Sequence, residues 1–228
     1  YINRFNIGRD GYEYLGNPKL KPEQNMQLDL SYTISGENKK FNTTLFFSSM
    51  NNFISAEYDS ALSPIMKNVP GVKRFINIDK AYRAGSEISF DWMILDNLNF
   101  NNTFAYTYGQ NETINEPLME IPPLEYKLSI KYSFGRKNNF VKMNGRITAD
   151  QNRISDSFKE TKTPGFTIWD ISAGYKIFEN LTIVGGIENI FNRYYYEHLN
   201  RSLKYTDMKG QMFYEPGRNV FIFLKYQI

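Results

Sequence analysis

The sequence predicts an all-β fold, an antiparallel transmembrane β-barrel, and three observations carry that prediction. Nine separate stretches alternate apolar and polar residues. They run to about 12 residues, roughly twice the 5–6 of an ordinary globular strand. The links between them are alternately short and long. Successive strand side chains point to opposite faces, so each stretch has one greasy and one wet side. At ~3.3 Å per residue and a tilt near 40°, such strands stand roughly 30 Å tall, enough to cross an apolar band of ~25 Å.

The strands are expected at 24–35, 41–56, 75–94, 98–112, 123–135, 138–151, 166–177, 181–195 and 217–228. The first places Met26, Leu28, Leu30, Tyr32 and Ile34 on one face, with Gln27, Asp29, Ser31 and Thr33 opposite. Phe100, Phe104, Tyr106 and Tyr108 mark the fourth. The fifth is the cleanest: Leu124, Tyr126, Leu128, Ile130, Tyr132 and Phe134 interleave with Glu125, Lys127, Ser129, Lys131 and Ser133. Val141, Met143, Ile147 and Ala149 follow, then Trp169, Ile171, Ala173, Tyr175 and Ile177. Gly185-Gly186 inside the eighth strand predicts a bulge or a close backbone approach. Val220, Ile222, Leu224, Tyr226 and Ile228 complete the ninth.

Gly36–Lys40, Leu95–Asn97, Arg136-Lys137 and Phe178–Asn180 are tight turns between antiparallel neighbours. Long polar loops are expected at 57–74, 113–122, 152–165 and 196–216, all at the opposite end of the sheet. Outer-membrane barrels have this asymmetry, with periplasmic turns and extracellular loops. A soluble all-β carbohydrate-binding module is the rival from another class, and strand length argues against it. A passive porin or adhesin-like barrel without a plug is the nearer alternative.

Composition agrees. Mean hydropathy is −0.51, yet a membrane barrel keeps this value low because alternate residues face its lumen. Aromatics reach 16%, with 18 Phe and 17 Tyr, residues favoured in strands and at membrane interfaces. A net charge of +3, with scattered Lys and Arg, gives no nucleic-acid surface. Zero cysteines exclude disulfides and thiolate sites. The chain opens Tyr1-Ile2-Asn3 and is expected to be the C-terminal part of something larger. Nine strands in lipid would leave two edges of unpaired backbone groups, so further strands are expected to close the barrel.

Three segments carry a family resemblance. Leu15-Gly16-Asn17-Pro18-Lys19-Leu20-Lys21-Pro22-Glu23 resembles the loop-to-strand signature of TonB-dependent outer-membrane receptors. Asn77…Ala81 followed by Gly85-Ser86-Glu87 is similar to their "N-x-x-x-A…G-x-E" strand. Glu188-Asn189-Ile190-Phe191-Asn192, Tyr195 and Glu215-Pro216-Gly217-Arg218 resemble their C-terminal signature. Gly16, Asn17, Pro18, Leu20, Pro22, Glu23, Asn189, Phe191, Pro216, Gly217 and Arg218 read as structural: turn chemistry and stiffened strand entries. The resemblance implies a 22-stranded barrel plugged by an N-terminal domain, with these strands as its last nine. Residues 1–22 would form an extracellular loop and 23–228 the strands and their connections. It also implies a Gram-negative outer-membrane location, contact with lipid, and coupling to a TonB-type energy complex through the plug. The import of a metal or metal chelate would follow, with iron-siderophore the default. The chain's last residue, Ile228, departs from the aromatic ending usual in this class.

No catalytic constellation is present, so the expectation is a transporter that is not an enzyme and carries no cofactor. His198 is the only histidine, and no Gly-rich phosphate loop follows a strand. Ligand capture is expected from the loops: Tyr12 and Tyr14 in the opening stretch, Met119 and Glu120, and His198, Met208 and Met212 in the last loop. Thioether and imidazole suit Cu(I), which makes copper the second substrate reading. The segments 118–125 and 195–201 also look like the copper-receptor subgroup. Tyr194 to Tyr196 are expected in an interfacial aromatic girdle.

Overall fold

A computed structural model describes residues 4–6, 11–67, 69–135, 139–200 and 212–226. All nine expected strands are present: β3 (Gln24–Ser35), β4 (Lys39–Asp59), β5 (Val72–Leu95), β6 (Leu98–Asn111), β8 (Glu125–Phe134), β9 (Asn139–Thr148), β10 (Phe166–Phe178), β11 (Leu181–Glu188) and β12 (Asn219–Tyr226). Each pairs antiparallel with the next. Three short strands escaped the periodicity: β1 (Arg4–Asn6), β2 (Glu13–Leu15) and β7 (Glu116–Pro117). Two or three residues are too few to show a period.

The outer row is apolar from β8 to the β12 edge. Across β8, β9, β10, β11 and β12 the register sets Ile130 beside Met143, Met143 beside Ile171, Ile171 beside Ile187 and Ile187 beside Val220. On β3, Met26, Leu28, Leu30, Tyr32 and Ile34 are 53–74% exposed. Such a continuous greasy surface needs a non-aqueous neighbour.

The opposite face is polar. Thr33 Oγ1 donates to Asn42, and Asn42 Nδ2 donates to Ser89 at 2.9 Å, joining three strands in one row. Asn101 donates to Asp91 at 2.8 Å further along. Rings interrupt this face where a glycine opposes them. Phe140 lies over Gly174 and Phe221 over Gly186, each directly opposite in the ladder. Gly185-Gly186 therefore marks a close approach and not a bulge, since β11 pairs with β12 without a register shift. The shifts fall next to tight turns, at Met93/Leu95 and Lys176/Phe178.

Two boundaries differ from expectation. The β4–β5 loop is shorter than the expected 57–74, because β4 and β5 stay paired out to Asp59↔Val72. β3 stops at Gln24↔Asn51 and β6 at Ala81↔Asn111, so this two-stranded ribbon overruns its neighbours by eight residues, about 26 Å. β11 ends at Glu188, seven residues short of the expected 195, because Asn189 turns into the left-handed region at φ 48. Short and long connections alternate as expected. The Arg136-Lys137 turn and Ile228 lie outside the described residues. Among the described residues, β3 and β12 each pair on one side only.

Candidate ligand-binding mouth and lumen wall

The long-loop end of the sheet is organised around the projecting ribbon. β2 pairs in parallel with the outer end of β5, Glu13 against Val72, where β6 no longer reaches. This brings Tyr12 and Tyr14 onto Ala56 and Phe158, with Tyr58, Phe75 and Met119 packed around them. Both tyrosines are buried, at 7% and 2% exposure, so they act as packing rather than as groups presented at the surface. Lys73 is fully enclosed among their rings, its Nζ 3.5 Å from the Phe158 ring centroid and 4.4 Å from that of Tyr12.

Glu13, between the two tyrosines, is also fully buried. Its Oε2 accepts the N–H groups of Ile65 and Met66 at 2.8 and 2.9 Å, and Arg4 donates to Oε1 at 2.9 Å. Burial pushes this carboxyl up, but the two N–H groups and the Arg4 guanidinium outweigh it and hold it below its ordinary range.

Met119 and Glu120 sit on the loop after β7. The Met119 sulfur accepts the Ser55 hydroxyl at 3.5 Å. Glu120 has φ 58 and donates its N–H to Glu160 Oε1 at 2.6 Å. Glu160 Oε2 accepts the Ser155 N–H, and Oε1 lies 3.9 Å from His198 Nε2. His198 is buried, its Nδ1 2.9 Å from the Thr163 hydroxyl. Glu160 thus links the β6–β8, β9–β10 and β11–β12 loops. The expected ligands fall into two neighbouring groups: Tyr12, Tyr14 and Met119 in the aromatic cluster, and Glu120 with His198 about Glu160. Met212 is half-buried on the approach to β12, and Met208 lies outside the described residues.

Below these loops a cleft of about 450 Å³ opens on the polar face, lined by Glu87, Glu125, Arg146, Thr148, Glu197 and His198 among others. Arg146 grips Glu197 with both terminal nitrogens and Glu125 through Nε. Its fork therefore straps the β11–β12 loop to the wall. Sequence reasoning missed Arg146 and Glu197 because they are far apart in sequence. The only available signal was Arg146's polar position within an alternating strand.

The signature residues are fasteners. Asn17 Nδ2 donates to Phe75 O at 3.0 Å, and Glu23 accepts the Ile54 N–H at 3.1 Å, holding the loop-to-strand segment against the ribbon. Gly16, Pro18, Leu20 and Pro22 lie on this fastened stretch, with the Leu20 N–H donating back to Asn17 O at 3.3 Å. Asn189 accepts the Arg193 N–H and donates to the Arg193 and Pro216 carbonyls. Arg218 Nε donates to Ile190 O at 2.9 Å, and a Cβ on Gly217 would meet Asn192 Oδ1 at 2.7 Å. Phe191 stays 71% exposed. Tyr194 is equally exposed but stacks on Tyr214, whereas Tyr195 packs inward against Phe166 at 4.3 Å. Tyr194 to Tyr196 therefore do not share one environment.

The family model described as TonB dependent receptor-like, beta-barrel, matches residues 2–190. The chain belongs to the TonB-dependent receptor family. It is an outer-membrane protein of the Gram-negative type, as its relatives are. The iron-regulated outer membrane virulence protein of Vibrio cholerae is 23% identical over 192 residues, covering 80% of this chain and 29% of that protein. The ferric enterobactin receptor PirA of Pseudomonas aeruginosa is 25% identical over 226 residues, covering 93% and 29%. Among solved structures, the copper transporter OprC superposes with a TM-score of 0.82 at 23% identity, covering 92% of this chain and 32% of that one. The FrpB iron transporter of Neisseria meningitidis gives 0.68 at 14% identity, covering 94% and 33%. The chain therefore spans about a third of the length of the proteins it matches. PirA is named as a receptor, and OprC and FrpB as transporters.

Proposed function

We propose that the whole protein is an energy-coupled receptor that imports a metal or metal chelate across the outer membrane. In this reading the chain supplies the last nine of 22 strands. The remainder of the protein supplies the other strands, a plug in the lumen, and the contact with a TonB-type complex. One observation supports it above others: a family-matched wall, greasy outside and polar inside, whose edge strands β3 and β12 each pair on one side only among the described residues. Such edges are intolerable in lipid, so strands from the rest of the protein pair with them. The loop end then faces the exterior, and the mouth built on Glu160, His198 and the Arg146 strap is where the substrate is taken.

A ferric siderophore is the first substrate reading, in line with the named function of PirA. Copper is the second. It is favoured by the backbone likeness to the copper transporter OprC and by the thioether of Met119, next to Glu120, whose N–H donates to the Glu160 carboxylate that lies 3.9 Å from the buried His198 imidazole. Equilibrium binding to the purified full-length receptor separates them. Saturable binding of a ferric chelate supports the first reading, and saturable Cu(I) binding lost on Met119→Leu supports the second. Binding of neither rejects metal import.

A further inference from the structure

The lumen face of β8–β10 carries five cations, of which three are paired within the chain. Lys127 meets Glu125, Arg146 meets Glu125 and Glu197, and Lys176 meets Glu179 at 3.0 Å. Lys131 and Lys142 differ. They sit directly opposite each other across the β8–β9 ladder, on the same face, flanked by Asn99 and Ser172 in the same row. Neither forms an ion pair among the described residues. Lys131 instead holds its Nζ 4.9 Å from the Phe140 ring centroid. The nearest acid by register is Asp170, diagonal to Lys142, and its Oδ1 already accepts the Asn189 N–H at 2.8 Å.

Like charges directly opposite on a sheet repel. In a water-filled pore that repulsion is screened and tolerable. Once a folded segment fills the lumen and expels water, the same pair becomes costly unless the filler brings a negative group. About two-thirds of the length of the matching relatives lies beyond this chain, so there is ample protein to supply one. We propose that Lys131 and Lys142 together dock a carboxylate side chain of the lumen-filling domain, anchoring it to this part of the wall. The inference rests on the plugged-barrel reading above.

Zero-length carbodiimide coupling of the full-length receptor in detergent, followed by peptide mass mapping, tests it. The expected product is an amide bond between Lys131 or Lys142 and an Asp or Glu outside these 228 residues. Lys131→Arg with Lys142→Arg keeps the charge but removes the primary amines, and should abolish that product while heat-modifiable migration shows an intact barrel. Lys131→Glu with Lys142→Glu should lower the urea concentration that releases the lumen domain, again with the barrel intact. Coupling only to acids within this chain, no coupling, or loss of coupling with free citrate and no domain carboxylate found would overturn the proposal. Finding no globular domain in the full-length lumen would instead overturn the plugged-barrel reading.

Discussion

Phe46 on β4 lies directly opposite Gly85 on β5, its ring covering the place where a side chain would stand. A Cβ on Gly85 would come within 2.4 Å of the Phe46 ring and 2.3 Å of the Tyr106 carbonyl oxygen. The glycine of the "G-x-E" strand is therefore needed for close approach on both sides. The same ring-on-glycine pairing recurs at Phe140/Gly174 and Phe221/Gly186 on the lumen face and at Trp169/Gly145 on the outer face. Bare glycine in a strand costs backbone entropy and leaves a gap, and an opposed ring fills that gap.

Gly85→Ala should therefore destabilise the barrel by about 1–3 kcal/mol or more, because the backbone oxygen cannot swing aside as a side chain could. Gly36→Ala, whose nearest neighbour would be 3.9 Å away, should change stability by no more than about 0.5 kcal/mol. Urea unfolding of the full-length receptor in micelles checks both. Equal effects would mean that the ring-on-glycine contact is not the constraint.

Asn77 clamps the chain segment that enters the wall. Its Oδ1 accepts the Lys21 N–H at 2.7 Å, and its Nδ2 donates to the Lys21 and Asn52 carbonyls. Asn77→Leu removes the polar group without removing bulk; the exposed Lys21 backbone groups turn to water, so each lost hydrogen bond should cost about 0.5–1.5 kcal/mol. Hydrogen exchange should then rise at Lys21 and its neighbours while β8 and β9 stay protected. Uniform change across the sheet would instead indicate a global effect.

These two contacts show what the sequence could disclose. Alternation revealed the nine wall strands because lipid on one side and a polar lumen on the other impose a period of two, as Leu128, Ile130 and Tyr132 display. It was silent where that environment ends. Glu57, Tyr58 and Asp59 continue β4 past its expected end at 56, but there the ribbon's neighbours are β2 and loops, which impose no period. Tyr12 and Tyr14 looked like exposed ligands for a similar reason: their burial comes from Ala56 and Phe158, far away in sequence. The signature motifs were legible as turn chemistry, whereas their partners, Phe75 and Ile54 for the first segment, required the fold.

Acid should loosen the mouth through Glu13. Its carboxyl is held below the ordinary value near 4.5 in the folded protein. A depressed carboxylate stabilises the fold at every pH above its unfolded value, and that contribution disappears as pH falls through the folded one. Protection of the Ile65 and Met66 amides should thus be constant from about pH 7 to 5 and decline below the normal carboxylate range. Glu13→Gln should remove this pH dependence and leave weaker protection throughout. Unaltered protection in the variant at neutral pH would mean that the buried ion pair does not hold the ribbon loop.

Membrane placement yields the most direct contrast between the two faces. Ile130 is in the outer apolar row, flanked by Phe100 and Met143 and 39% exposed. An arginine at that depth should cost about 2–4 kcal/mol, because its charge must leave water for acyl chains or distort the bilayer. Ser89 lies on the polar face between Glu87 and Asp91 of the same strand, where its hydroxyl accepts from Asn42. Arginine there keeps contact with water and has two carboxylates beside it, so Ser89→Arg should cost about 1 kcal/mol, the value of the lost hydrogen bond. Folding of full-length Ile130→Arg and Ser89→Arg into lipid vesicles, followed by heat-modifiable migration and urea titration, measures the difference. A smaller loss for Ile130→Arg than for Ser89→Arg would show the sheet to be facing the other way.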